Sequence, residues 1–86
     1  MANQQYLDEL ADMLLSLENR QNMLSFLDGI LTPQELTDIS QRLQIVKELK
    51  QGRPQREIAE NLGVGIATVT RGSREIKKGK FESVKV

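Results

Sequence analysis

The sequence predicts an all-α fold built from short helices, and three observations lead to this expectation. Apolar residues recur every three or four positions along most of the chain, which is the spacing that places them on one face of a helix. No stretch of useful length alternates apolar and polar residues as a half-buried strand does. Pro33, Gly52 and Pro54 fall between the apolar segments, where helices begin and end. At this length we expect a single domain over residues 1–86.

The first two helices are predicted from two apolar groups separated by a polar break at residues 19–22. The first group recurs at helical spacing and consists of Tyr6, Leu7, Leu10, Met13, Leu14 and Leu17. The second group lies within residues 23–31, and we expect Gly29 to close its helix. We interpret residues 5–31 as core or a dimer seam. A membrane-surface helix is the weaker alternative, because the charges of the first helix are acidic and anionic lipid would repel them.

The third helix has the clearest start signal in the chain. Thr32 suits the N-cap, Pro33 suits the first helical position, and Glu35 completes a capping box. The helix should stop near Gly52. We expect its apolar residues to face inward, and these are Leu36, Ile39, Leu43, Val46 and Leu49.

Residues 54–78 predict a helix-turn-helix unit. Pro54 can begin a short helix, Ala59 is small enough for two helices to cross closely, and Gly63 can take the left-handed conformation of a tight turn. A second helix should follow Gly65. The apolar residues that would hold the two helices together are Ile58, Leu62, Val64, Val69 and Ile76. From Gly79 onward we expect a partly ordered tail.

The composition excludes several classes of function. The chain has no His and no Cys, so zinc fingers, histidine bases, thiol nucleophiles and disulfides are all excluded. No metal site is expected. Carboxylates one helical turn apart, such as Asp8 and Asp12, are better explained by a solvated face than by acid–base catalysis, and we do not expect an enzyme. No apolar run is long enough to span a membrane and no signal segment opens the chain, which favours a cytoplasmic protein.

The net charge of zero conceals an uneven distribution. Residues 1–43 carry two cations and seven anions, a net charge of −5, whereas residues 44–86 carry ten cations and five anions, a net charge of +5. Such asymmetry indicates a basic surface for a polyanion in the C-terminal half. The alternative is two solvated faces that happen to differ in charge.

The basic half contains the residues that we expect to meet double-stranded DNA. The second helix should begin after Gly65 with mostly small and hydroxyl-bearing side chains, which can approach base edges and thymine methyl groups. The residues concerned are Ile66, Ala67, Thr68 and Thr70. The basic residues available for phosphates are Arg56, Arg71, Arg74, Lys77 and Lys78. Two alternatives stay open at this point, namely a plain helical hairpin with a solvated basic face and a helical interaction module that binds no DNA.

Four stretches of the sequence resemble the Trp repressor family. They are Leu31-Thr32-Pro33, residues 41–49, residues 55–58 and residues 62–73. The run Gly-Ile-Ala-Thr-Val-Thr-Arg-Gly-Ser at residues 65–73 is far more specific than a general helix-turn-helix pattern. The resemblance covers about residues 30–78. It implies an all-α, intertwined homodimer that binds a two-fold DNA operator as a repressor, with L-tryptophan as corepressor and no other cofactor.

The resemblance also implies the residues of the sites. Arg42 and Arg71 would flank the indole ring, and Arg71 with Thr32 would hold the ligand carboxylate. The implied ligand-binding set is Thr32, Arg42, Arg71, Gly72 and Glu75, with backbone carbonyls around Gly29 and Leu31 meeting the ammonium. The implied DNA-binding set is Gln55, Arg56, Gly65, Ile66, Ala67, Thr68, Thr70, Arg74 and Lys77. An arginine plane can stack on an aromatic ring and donate to a carboxylate at the same time, which agrees with this assignment.

Glu75 departs from the family pattern, because the family usually has a serine at this position, close to the ligand ammonium. Two roles follow for its carboxylate. It can accept the ammonium directly, or it can pair with Arg71 one helical turn earlier and compete with the ligand carboxylate. Gly29 also departs, since it stands where a leucine normally lines the pocket. A related regulator that does not bind tryptophan is therefore the alternative within the same fold.

Overall fold

The computed structural model describes residues 3–86, and all regular structure in this range is helical. Its five helices are α1 (Gln4–Ser16), α2 (Arg20–Ile30), α3 (Pro33–Lys50), α4 (Gln55–Leu62) and α5 (Ile66–Lys77). The all-α prediction is confirmed. The chain divides into two compact units, the first ending at Leu36 and the second spanning Thr37–Val86. The single-domain assignment stays a prediction. Within the described residues, none of the helices is long and apolar enough to cross a bilayer.

Asparagine side chains begin both helices of the first unit. The Asn3 side-chain oxygen accepts the amide of Gln5 at 2.8 Å, and the Asn19 side-chain oxygen accepts the amide of Asn22, also at 2.8 Å. The polar break at residues 19–22 is therefore an N-cap followed directly by a new helix. The expected closure at Gly29 is wrong. Gly29 lies inside the last turn of α2 without a positive φ, and the helix ends at Ile30 because the chain must become extended to enter the next capping box.

The apolar stripe of the first unit remains accessible in one chain. Neither α1 nor α2 has a buried residue. Tyr6 is 69% exposed, Leu7 is 45% exposed and Leu24 is 55% exposed. The stripe therefore forms no core within a single chain, and an apolar surface of this extent is typical of an interaction surface.

The start of α3 is confirmed as a capping box. The Thr32 hydroxyl accepts the amide of Glu35 at 3.1 Å, and the Glu35 carboxylate accepts the amide of Thr32 at 2.8 Å. The expectation that all apolar residues of α3 face inward is wrong for Ile39 and Leu43, which are about half exposed. The buried residues of α3 are instead Ile45 and Val46, because the packed core of the second unit meets only the C-terminal half of this helix.

The core of the second unit joins α3 to the predicted helix-turn-helix. Ile45, Ile58 and Val69 are buried, one from each of the helices α3, α4 and α5. The partly buried residues packed against them are Leu49, Ala59, Leu62 and Val64. The predicted packing is thus confirmed for Ile58, Leu62, Val64 and Val69. Ile76 is partly buried, and its predicted contact with this core stays a prediction.

Helices α3, α4 and α5 each end in a Schellman motif with glycine at the C′ position. At the turn of the helix-turn-helix, Gly63 has φ 66° and the amide of Val64 donates to the carbonyl of Ala59 at 3.0 Å. Gly52 and Gly79 have φ of 86° and 82° and occupy the equivalent positions after α3 and α5. The predicted stops at Gly52 and Gly63 are confirmed, since only glycine takes this backbone conformation without steric cost.

Candidate DNA-binding surface and ligand pocket

The N-terminal turn of α5 is exposed. Ile66 is 52% exposed, and Ala67 and Thr68 are also exposed, whereas Val69 is fully buried. Gly65 occupies the N-cap position and no side chain caps the first amides of the helix. A helix N-terminus with uncapped amides attracts anions such as phosphate. This turn thus combines small exposed side chains with an anchored helix, as groove reading requires.

Thr70 is bound to the first residue of α4. Its hydroxyl donates to Gln55 Oε1 at 2.7 Å and also lies 3.0 Å from the Ile66 carbonyl oxygen. Both Thr70 and Gln55 are partly buried. Because the carboxamide oxygen of Gln55 is engaged, its amide nitrogen is the group left to donate to another acceptor. Thr70 therefore orients Gln55.

Three exposed basic residues of α4 and α5 form no ion pair with an acidic side chain of the described residues. Arg56, Arg74 and Lys77 are exposed, and none of them forms an ion pair within residues 3–86. Arg53, in contrast, lies 3.6 Å from Glu48 and 3.9 Å from Glu57. Unpaired exposed cations are the groups that contact DNA phosphates most readily, so the exposure of these three residues agrees with the phosphate contacts predicted for them.

A cavity of about 220 Å³ lies in the second unit. Four of the five residues predicted to bind the ligand line it, namely Arg42, Arg71, Gly72 and Glu75. The remaining walls come from Ile45, Val46, Thr68 and Phe81. The fifth predicted residue, Thr32, belongs to the first unit, where it caps α3. Its ligand role stays a prediction.

Gly72 explains how α5 approaches α3 closely beside this cavity. A Cβ atom at Gly72 would lie 3.2 Å from Ile45 Cγ2, tighter than ordinary van der Waals contact, and 3.4 Å from Leu49 Cδ1, at the lower limit of ordinary contact. Because Ile45 is buried, it has little room to move. The missing side chain thus allows the two helices to hold Arg42 and Arg71 at the same cavity.

The charges and the apolar walls of the cavity indicate the chemistry of its ligand. Arg42 and Arg71 form no ion pair within the described residues, whereas the Glu75 carboxylate lies 3.7 Å from Lys78 Nζ. Two cations and one anion beside aliphatic and aromatic walls suit an apolar molecule that carries a carboxylate and an ammonium. Among the described residues, no group of acidic side chains is arranged to hold a metal ion.

Sequence reasoning missed Phe81, which it assigned to the tail. It also placed Thr68 on the DNA surface alone, whereas this exposed residue lines the cavity as well. The signal for Phe81 was present: an aromatic residue two positions after Gly79. A glycine that reverses the chain at a helix end often returns the next residues to the preceding surface.

Comparison with known proteins finds one family and several relatives that are similar to this chain. The family description "Trp repressor protein" matches residues 5–85. A Trp operon repressor homolog from Vibrio cholerae serotype O1 is 45% identical over 75 residues, which cover 86% of this chain and 69% of the relative. Homologs of the same name from Vibrio campbellii and Vibrio parahaemolyticus are 44% and 39% identical, over 72% and 80% of this chain. The matches cover 62% and 68% of those relatives, so the chain spans about two thirds of their length.

Proposed function

The chain belongs to the Trp repressor family, and from this premise we propose that it is a sequence-specific, DNA-binding transcriptional repressor with L-tryptophan as its corepressor. One observation carries the proposal: α5 is both a wall of the ligand cavity and the exposed helix of the helix-turn-helix. Arg71 lines the cavity, and the exposed turn at Ile66–Thr68 begins the same helix. A ligand that binds Arg71 therefore acts directly on the helix that would read DNA, which is a local route for coupling the two binding events.

L-tryptophan suits the chemistry of the cavity. The guanidinium planes of Arg42 and Arg71 can stack on the indole ring, and Arg71 can donate to the ligand carboxylate. Glu75 can accept the ammonium. A hydrogen bond to a charged group contributes about 1.5–3 kcal/mol, so these contacts together can account for recognition of a free amino acid.

Homodimerisation accounts for the accessible apolar stripe of α1 and α2. A second copy of the chain would cover this surface and present two recognition helices to successive major grooves, roughly 34 Å apart. The operator would then be a double-stranded, two-fold site. A regulator of this kind, which performs no catalysis, acts in the cytoplasm, the compartment that holds the chromosome in bacteria.

The test compares DNA binding and ligand binding on the full chain. An operator sequence is first selected from a randomised duplex library with saturating L-tryptophan. Fluorescence anisotropy then measures binding to the selected and to a random duplex across several salt concentrations. We expect Lys77→Ala to weaken both duplexes by similar factors and to reduce the salt slope by about one unit. Lys85→Ala, which removes the same charge from the tail, is the control for net charge.

Thr68→Ala should instead lower the ratio between selected and random DNA, because it alters a groove-facing side chain. This variant is measured at saturating L-tryptophan, since Thr68 also lines the cavity. An equal loss on both duplexes would contradict the assignment of Thr68. If the chain binds the selected duplex tightly but titration with tryptophan gives no heat, the chain is a regulator that acts without a ligand, and tryptophan is not its corepressor. Absence of duplex binding at low salt would indicate the helical interaction module instead.

A further inference from the structure

The segment after α5 returns to the second unit as an ordered turn. The amide of Gly79 donates to the Ile76 carbonyl at 2.9 Å, and the amide of Lys80 donates to the Glu75 carbonyl at 3.2 Å. With φ 82° at Gly79, these bonds form a Schellman motif that reverses the chain. The reversal aims residue 81 at the packed unit instead of letting α5 continue into solvent.

Lys50 holds this segment in place. Its ammonium donates to the carbonyl oxygens of Phe81 and Val84, each at 2.6 Å, in a partly buried setting. The amide of Val84 also donates to the Phe81 carbonyl at 3.1 Å, so the segment forms a closed turn around the Lys50 ammonium. Hydrogen bonds that involve a charged donor are roughly twice as strong as neutral ones. Lys50 is the last residue of α3, where a cation also interacts favourably with the helix dipole.

This arrangement places an aromatic ring in the cavity wall. Phe81 is partly buried and lines the same cavity as Arg42 and Arg71. Aromatic rings prefer offset or edge-to-face contact with other rings, which adds to the gain from apolar burial. An aliphatic side chain at this position would cover the same apolar wall without that contribution.

We propose that Phe81 is a ligand-contacting residue that favours aromatic ligands, and that Lys50 is the positioning residue that holds it at the cavity. The inference rests on the proposed function, because it names a further determinant of the same ligand site. It assigns a binding role to the C-terminal segment, which sequence reasoning treated as a tail. The segment carries the selectivity for the ring, while the arginines and Glu75 carry the selectivity for the charged groups.

The chain offers a direct spectroscopic test, because it contains no tryptophan of its own. Indole emission from bound L-tryptophan therefore reports only the cavity. The full chain is titrated with L-tryptophan by calorimetry and by ligand fluorescence, for the parent, Phe81→Leu, Phe81→Ala, Lys50→Met and Lys50→Arg. Lys47→Met is the matched control, because Lys47 lies on the same helix and forms no hydrogen bond with the segment within residues 3–86.

We expect Phe81→Leu and Lys50→Met each to lower the affinity for L-tryptophan about 3- to 10-fold. Each should also shift the emission of the bound indole ring to the red. Lys50→Arg should restore most of the affinity, and Lys47→Met should match the parent. Since leucine preserves apolar burial, Phe81→Leu remains informative if Phe81→Ala fails to fold.

Three results would overturn the inference. Parental affinity in Phe81→Leu would show that the ring makes no contact with the ligand. Tighter binding in Phe81→Ala would show that Phe81 occupies the ligand's place instead of contacting it. If L-tryptophan gives neither heat nor an emission shift with the parent, the corepressor part of the proposed function is wrong, and the ligand role of Phe81 is wrong with it. This outcome differs from failure of the Phe81 proposal alone, in which the parent binds L-tryptophan and Phe81→Leu binds it equally well.

Discussion

Glu75 pairs with Lys78 and leaves Arg71 available. The Glu75 carboxylate lies 3.7 Å from Lys78 Nζ, whereas Arg71, one helical turn earlier, forms no ion pair within residues 3–86. The Lys78 side chain is 64% exposed, and such surface pairs typically contribute about 0–1 kcal/mol. Of the two roles expected for Glu75, competition for Arg71 is therefore not the one that the side chain adopts. The carboxylate can leave Lys78 at small cost to accept an ammonium.

Glu75→Ala should lower the affinity for L-tryptophan by about tenfold or more, because a contact between the carboxylate and the ligand ammonium contributes roughly 1.5–3 kcal/mol. Indole-3-propionate, which lacks the ammonium, should bind poorly to the parent and lose little further affinity in the variant. Isothermal titration calorimetry measures both ligands. Lys78→Ala is the control, since it removes the ion pair and keeps the carboxylate, and it should bind tryptophan at least as well as the parent. Equal weakening of the two ligands by Glu75→Ala would contradict this role.

Thr70 should act on DNA through Gln55. Thr70→Val removes the hydroxyl that lies 2.7 Å from Gln55 Oε1 and keeps a similar shape. We expect Thr70→Val and Gln55→Ala each to weaken binding to the selected duplex, and the double variant to be no weaker than Gln55→Ala alone. The coupling in this double-mutant cycle should be about 0.5–1.5 kcal/mol.

A matched cycle uses Thr68→Val with Gln55→Ala. Thr68 is exposed and has no hydrogen bond to Gln55 in the described residues, so these two changes should be additive. Additive effects of Thr70→Val and Gln55→Ala would mean that Thr70 meets DNA by itself.

Gly72→Ala should destabilise the chain by about 1 kcal/mol. The new methyl group would meet Ile45 Cγ2 at 3.2 Å, and the resulting overpacking of about 1–3 kcal/mol outweighs the gain in helix propensity of about 1 kcal/mol. Urea unfolding at a fixed protein concentration gives the change. Gly29→Ala is the matched control, because Gly29 is helical and a Cβ there meets nothing within 4 Å. It should stabilise the chain, and equal effects of the two variants would refute the close approach at Gly72.

The chain should be an obligate dimer whose thermal midpoint rises with protein concentration. Leu10→Glu places a charge on the apolar stripe of α1 and should shift the mass from dimer to monomer in light scattering. Leu15→Glu is the control, since Leu15 is 83% exposed and lies off the stripe. A folded monomer at micromolar concentration in the parent would rule out this interpretation of the stripe.

The outcomes for individual residues show which features were predictable. The capping box of Thr32 and Glu35 and the turns at Gly52 and Gly63 were predicted correctly, because each depends on hydrogen bonds within a few residues. The prediction at Gly29 was wrong because the same residue type also occurs inside helices, where its φ is negative. The presence of glycine therefore does not determine whether the chain has a positive or a negative φ at that position.

The sequence by itself determined the helical class and the helix-turn-helix, since helical spacing and turn motifs express local backbone preferences. Through the family resemblance it also gave four of the eight residues that line the cavity, namely Arg42, Arg71, Gly72 and Glu75. Only the tertiary structure decided which apolar faces are covered. Ile39 and Leu43 fit the stripe of α3 yet stay half exposed, because periodicity identifies a face without identifying what packs on it. Only the tertiary structure brought Phe81 to the cavity, through hydrogen bonds from Lys50 across 31 residues of sequence. Such a contact depends on the path of the whole chain, and no local pattern of residues encodes that path.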